Sequence, residues 1–210
     1  MTASFNGHLW MAQYWVYRVQ VSAFGVDSHA FVGTVFVLSL VLLHVATGAL
    51  LRTARMAWTN AVLVAGLLTY LGASSQNMLF AVQVSPVLSA AAGFAAAAFA
   101  LRPTPSTRRA GVVGALMLAC VVIDSGVALG LLCLVAVVTV WVWRSRAVLA
   151  LVPSALVLVW WYATADLGPQ FAAPLGRRLG FGWRLLHQSA GSIVGGGQLV
   201  GGLLLVAIVV

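Results

Sequence analysis

Long apolar runs separated by short arginine-bearing breaks are the dominant pattern of the chain. Residues 30–51 meet the requirement of about 20 apolar residues for a membrane-spanning helix. From Arg55 to Arg102 no formal charge occurs. At ~1.5 Å per residue one helix of that length would overshoot a ~30 Å hydrocarbon core, so the run must turn. The polar cluster Gly-Ala-Ser-Ser-Gln-Asn at residues 72–77 is the natural turn, dividing the run into spans over about residues 56–71 and 78–101. Pro86 is expected to kink the second of these. Residues 110–143 repeat the situation, interrupted only at Asp124-Ser125-Gly126, which predicts two short helices; one long tilted helix is the competing arrangement. Further spans are predicted over residues 147–163 and 193–210, with a more polar stretch between them.

Composition strengthens the membrane reading. The 210 residues are 62% hydrophobic and 7% charged, with a mean hydropathy of +1.06, which leaves too little polar surface for a water-soluble fold. The cations are eleven arginines without a lysine, the anions three aspartates without a glutamate, and the net charge is +8. A basic balance of this kind can serve nucleic acid, but here the arginines sit in loops between apolar runs, so nucleic acid is not an expected partner and membrane lipids are. Cys120 and Cys133 lie in separate apolar runs and are expected to be buried small hydrophobes rather than disulfide or zinc residues. His/Cys/carboxylate groups at metal-binding spacing are missing from the sequence, as are His-Glu-x-x-His and Gly-x-Ser-x-Gly, so no cofactor is evident, and the use of a divalent metal is left open by the sequence.

The arginines also orient the chain. With hairpins at residues 72–77 and at Asp124, the loops carrying Arg52 and Arg55, then Arg102, Arg108 and Arg109, then Arg144 and Arg146 fall on one side, which the positive-inside rule makes cytoplasmic. Trp58, Trp141 and Trp143 flank these loops, and Trp160, Trp161 and Tyr162 mark the opposite interface. Asp27, Asp124 and Asp166 then face the extracytoplasmic side, together with Asn6, His8, Arg18, His29, Gln76, Asn77, His187 and, slightly deeper, Gln83.

The expected architecture is all-α: a polytopic transmembrane helical bundle of about seven membrane helices, some short, preceded by an interfacial helix. Residues 1–29 form the extracytoplasmic interfacial segment, 30–163 the transmembrane core, 164–190 an extracytoplasmic loop and 191–210 a final transmembrane helix. In the first of these segments Trp10, Tyr14 and Tyr17 recur at helical spacing, suiting a helix at headgroup depth, where Arg18 is placed to meet a phosphate. Asp124 has two readings: an Asp-Ser-Gly turn former, or a carboxylate solvated in a membrane-depth cavity. Gln76 and Asn77 suit a plain turn or sugar hydroxyls. His44 reads as making a helix-packing hydrogen bond before serving as a proton relay. The glycines at 191, 195, 197 and 201 have the spacing of close helix packing, without the Lys-Ser/Thr of a phosphate loop.

Several short motifs follow one another in a telling order: Asn6-Gly7-His8-Leu9-Trp10, Tyr17-Arg18, Phe24-Gly25-Val26-Asp27-Ser28, Leu43-His44, the 72–77 cluster ending in Gln76-Asn77, Phe80-Ala81-Val82-Gln83, Asp124-Ser125-Gly126 and a Pro153-led helix ending at Tyr162. The succession resembles a family of bacterial polytopic membrane proteins related to the GT-C glycosyltransferases, the superfamily of the protein O-mannosyltransferases. It covers about residues 5–168. Each motif alone is weak; order and spacing carry the likeness. The resemblance implies a GT-C-like transferase of the bacterial cytoplasmic membrane, moving a sugar from a polyprenyl-phosphate donor to a cell-envelope acceptor at the extracytoplasmic face. It further implies an earlier transmembrane helix and a loop with an acidic pair, so the chain is expected to be a piece of a longer protein. Gly7 and Gln76 stand where the family has Glu. The expected site is Asp124 as the catalytic carboxylate, with Asn6, His8, Trp10, Arg18, Gln76, Asn77 and Gln83 around the substrate. Two rivals are a non-catalytic scaffold or subunit and, last, a small-solute transporter, for which the cytoplasmic halves of the helices hold too few polar residues.

Overall fold

A computed structural model describes residues 4–5, 8–9, 11–26, 29–70, 84–143 and 146–164. Within them the chain is helical apart from one short antiparallel pair, β1 (Ser4–Phe5) with β2 (His8–Leu9), in the register Ser4↔Leu9 and Phe5↔His8. Seven α-helices follow: α1 (Met11–Val19), continued by a π-helical turn (Gln20–Phe24), α2 (His29–Thr53), α3 (Trp58–Tyr70), α4 (Val84–Ala100), α5 (Thr107–Ile123), α6 (Ser125–Trp143) and α7 (Val152–Thr164), the last entered through a 3-10 turn (Arg146–Leu151). The predicted final span and the 164–190 loop lie, from residue 165 on, outside the described residues.

Three segments are long and apolar enough to cross a membrane, Ala30–Thr53, Ser125–Trp143 and Ala147–Thr164. Trp58–Tyr70 and Val84–Ala100 are shorter apolar helices, so the expectation of about seven membrane helices resolves into three spans of full length among shorter ones. The outward faces fit a bilayer: Val37, Leu38, Val41, Leu42 and Val45 on α2, Leu63, Leu67 and Leu68 on α3, Leu149 on the 3-10 turn, and Leu156 and Val159 on α7 are all exposed. Apolar patches of this extent mark a surface that meets something other than water.

Helix α4 is the central element, packing on α2, α5 and α6. Its small residues make this possible. Ala91, Gly93, Ala96, Ala97, Ala98 and Ala100 are buried, and small side chains let helix backbones approach where lipid supplies no hydrophobic drive. At Gly93 a Cβ would stand 2.5 Å from the end of Leu131 and 3.1 Å from its Cβ, so any larger residue there makes the Leu131 side chain and α6 give way. At Gly114 a Cβ would stand 2.5 Å from the carbonyl oxygen of Ala150, which seats α5 on the 3-10 turn. Pro86 lies in the first described turn of α4, and residues 71–83, just ahead of that turn, lie outside the described residues.

The helix ends are set by local chemistry. After α2, Arg55 takes φ 70, and the amides of Arg55 and Met56 bond to the carbonyls of Arg52 and Leu51 in the reciprocal pattern of a left-handed cap. Ser106 caps α5 by accepting from the Arg109 amide at 3.2 Å. The α5–α6 break is a single residue. Asp124 adopts an extended backbone (φ −155, ψ 110), which ends α5, and its Oδ1 accepts from the Gly126 amide at 2.7 Å, which starts α6. The chain doubles back here: the Trp143 indole at the far end of α6 donates to the Arg102 carbonyl ahead of α5, at 2.8 Å. One continuous helix over residues 110–143 is thereby excluded.

Two side-chain expectations are corrected. Cys120 is buried, but Cys133 is exposed, on the outward flank of α6. A bundle in lipid carries apolar side chains on both faces, so an apolar run alone does not tell core from surface. Likewise Trp143 and Trp161 turn inward, at 5% and 3% exposure, whereas Trp58, Trp141 and Trp160 face outward.

Candidate functional site

Four buried polar side chains of the α4–α7 bundle meet at one end, at the start of α4, the end of α5 and the start of α6, where the end of α7 joins them; Thr139 and Ser154 are buried toward the other end. Ser85, Ser89, Asp124 and Ser125 are all 2% exposed or less. Ser89, one turn below Ser85 on the same face of α4, donates toward the carbonyls of Cys120 (2.9 Å) and Asp124 (3.3 Å), and its Oγ lies 3.2 Å from Cys120 Sγ. The Tyr162 hydroxyl donates to the Ser125 carbonyl at 3.3 Å, tying the end of α7 to the same break. Two helices, α4 and α7, are thus bonded to the residues around Asp124 at the α5–α6 break. The carboxylate is removed from water at a site surrounded by apolar helices, an environment in which an acidic group is costly unless bonded.

Over this end lies the N-terminal segment. The first turn of α1 is held by a bond from the Gln13 amide to Ser85 Oγ at 2.8 Å, so a side chain of α4 caps α1 from outside its own sequence. The inward face of α1 is Gln13, Val16 and Gln20; Val16 packs on the small cluster of Phe36, Leu40 and Val84, and Gln20 donates through Nε2 to the Val26 carbonyl at 3.0 Å. Outward stand Trp15, Tyr17, Val19, Val21 and Phe24. This is the reverse of a helix on a soluble protein and the arrangement expected of one whose outer face meets acyl chains. α1 also packs on α5, and β2 packs on α6.

Of the residues expected in the site, Arg18 and Asp124 are described in full. Arg18 is exposed on α1, its guanidinium donating to the Tyr14 hydroxyl at 2.9 Å and lying 5.7 Å from the Trp15 ring centroid. This holds the cation at a fixed place on the outer side of the helix with donors left over for an anion. The backbone of His8 lies in β2, which brings that strand to α6. Asn6, Trp10, Gln76, Asn77 and Gln83 lie outside the described residues. His44 packs on the neighbouring helix by stacking its ring on Tyr70 at 5.6 Å, and the expected helix-packing hydrogen bond is not made at Nδ1.

Ser85, Ser89 and Tyr162 enter the site from the structure alone. The two serines recur four residues apart in an alanine-rich helix, a signal visible in the sequence but equally that of plain helix packing. Gln13 and Gln20 sit seven residues apart, one helical stripe, and their inward direction depends on which side of α1 meets the bundle. Among the described residues no group of three or more His, Cys, Asp or Glu side chains is arranged to hold a metal ion. Comparison with protein families, with curated proteins and with solved structures finds no match to this chain.

Proposed function

We propose that the chain is the membrane core of a GT-C-like glycosyltransferase, taking a sugar from a polyprenyl-phosphate donor and delivering it to a cell-envelope acceptor at the extracytoplasmic face of a bacterial cytoplasmic membrane. What supports this most is the concentration of buried polar groups around Asp124, roofed by a helix with an apolar outer face and an exposed arginine. A lipid-linked sugar needs both features side by side: an apolar surface for the prenyl chain, and donors and acceptors for the phosphate and the hydroxyls. In this reading Arg18 meets the phosphate, the His8 segment and Asp124 flank the sugar, and the order of motifs along the chain supplies the likeness to GT-C enzymes.

A second reading has one observation in its favour. The Asp124 carboxylate already accepts from the Gly126 amide, which is a sufficient structural use for it, as in a non-catalytic scaffold or subunit. The full chain in nanodiscs separates the two. The glycosyltransferase reading expects retention of a short-chain prenyl phosphate bearing a hexose in preference to the bare prenyl phosphate, and a roughly tenfold loss of affinity for both in Arg18→Gln, the size of one charge-assisted contact. Equal, weak retention of both lipids by the wild type and the variant would leave the scaffold.

A further inference from the structure

The seam between α2 and α3 contains two buried polar atoms with no partner. His44 lies about 22 Å along α2 from its start and about 14 Å from its Thr53 end, at a rise of 1.5 Å per residue, well inside the bilayer for a helix of this length. Its ring faces Gly66 on α3, where a Cβ would stand 3.5 Å from Cε1 and 4.0 Å from Nδ1, and it stacks on Tyr70. Nδ1 is buried without a hydrogen-bond partner. Thr69, which shares its stretch of α3 with Gly66 and Tyr70, is 2% exposed, and its Oγ1 is likewise unpartnered.

The threonine departs from the habit of this protein. Thr34, Thr47, Thr53, Thr139 and Thr164 each donate to the carbonyl four residues back, at 2.7–2.8 Å, the ordinary way for a hydroxyl to satisfy itself within an apolar helix. Thr69 has the Ala65 carbonyl available in the same position and does not use it. A hydroxyl turned from its own helix and an imidazole nitrogen with an open lone pair, on facing helices and not bonded to each other, are the two ends of a bridge.

We propose that the α2–α3 seam binds one water molecule between Thr69 Oγ1 and His44 Nδ1. The hydroxyl donates to the water and the water donates to the ring nitrogen, which fixes the imidazole as the neutral tautomer with its proton on Nε2. Two polar partners are the minimum a buried water requires, and the absent side chain at Gly66 leaves the ring edge open on the α3 side. The site is a hydrated point at membrane depth, independent of any role in sugar transfer.

The chain has four histidines, so ring-nitrogen spectra of ¹⁵N-His-labelled full-length protein in nanodiscs are tractable, His44 being assigned by its loss in His44→Phe. The expected result is an unprotonated Nδ1 in a hydrogen bond, with magnetisation passing from water protons to the His44 ring. That transfer is lost in Thr69→Val, which keeps the shape without the hydroxyl, and is restored in Thr69→Ser. A protonated Nδ1, a direct bond from the Thr69 hydroxyl proton with no water transfer, or transfer unchanged in Thr69→Val would overturn the proposal.

Discussion

Toward the arginine loops, α4 meets α5 and α6 through Ala96, Ala97, Ala100, Val113, Met117 and Val135, an apolar cluster in which backbones come close because side chains are small, and the buried Thr139 satisfies its hydroxyl within its own helix. Toward the other end the same three helices meet through Ser85, Ser89, Asp124 and Ser125, and hydrogen bonds take over from methyl contacts. The first arrangement is limited by shape and the second by pairing. In lipid, shape complementarity is the main cohesive term, whereas a buried polar group adds little net stability and is retained where chemistry uses it. The contrast therefore divides the bundle into a half held by shape and a half held by hydrogen bonds.

Substitutions at the two ends should differ in size. The largest effect is expected at the packing end. Gly114→Ala drives a methyl group into the Ala150 carbonyl, with backbone on both sides and no flexible side chain to give way, and should cost about 1–3 kcal/mol, read as a lower unfolding midpoint in detergent or nanodiscs. At the polar end, Asp124→Ala removes the cap of α6 and should cost about 0.5–2 kcal/mol. Asp124→Asn keeps an oxygen acceptor for the Gly126 amide and should recover most of that loss, so comparing the two variants separates capping from charge. Ser89→Ala deletes an interhelical hydroxyl and should cost about 0.6 kcal/mol, the usual size of such a bond between membrane helices. Tyr162→Phe, which loses a long 3.3 Å bond, should fall below about 0.6 kcal/mol in the same unfolding measurement. If Ser89→Ala proved more damaging than Gly114→Ala, the division into a packing half and a pairing half would fail.

Much of the helical layout is legible in the sequence for simple reasons. A carboxylate followed by Ser-Gly inside a 34-residue apolar run has few ways to be satisfied except by a break, and Asp124 breaks the helix. The Arg102 and Trp143 regions meet because the chain turns there. Direction is where the sequence is mute. Cys133, Trp143 and Trp161 sit in runs that are apolar on all faces, so periodicity carries no sign of which residues look inward. Within the site, Arg18 and Asp124 stand out by charge, but Ser85 and Ser89 look like any small pair in a membrane helix. The unusual choice made by Thr69 is a matter of rotamer, to which sequence gives no access.

The central claim is that the polar end of the bundle, beneath α1, faces out of the cell while the arginine loops face in. Val26, 69% exposed just before α2, stands at the first end, and Ser106, exposed at the start of α5, at the second. Single cysteines at these positions, in a Cys120→Ala, Cys133→Ala background, can be labelled in intact cells with a membrane-impermeant maleimide. The expected result is labelling of Val26→Cys in intact cells and of Ser106→Cys only after permeabilisation; the reverse order, or labelling of both from one side, would contradict the account.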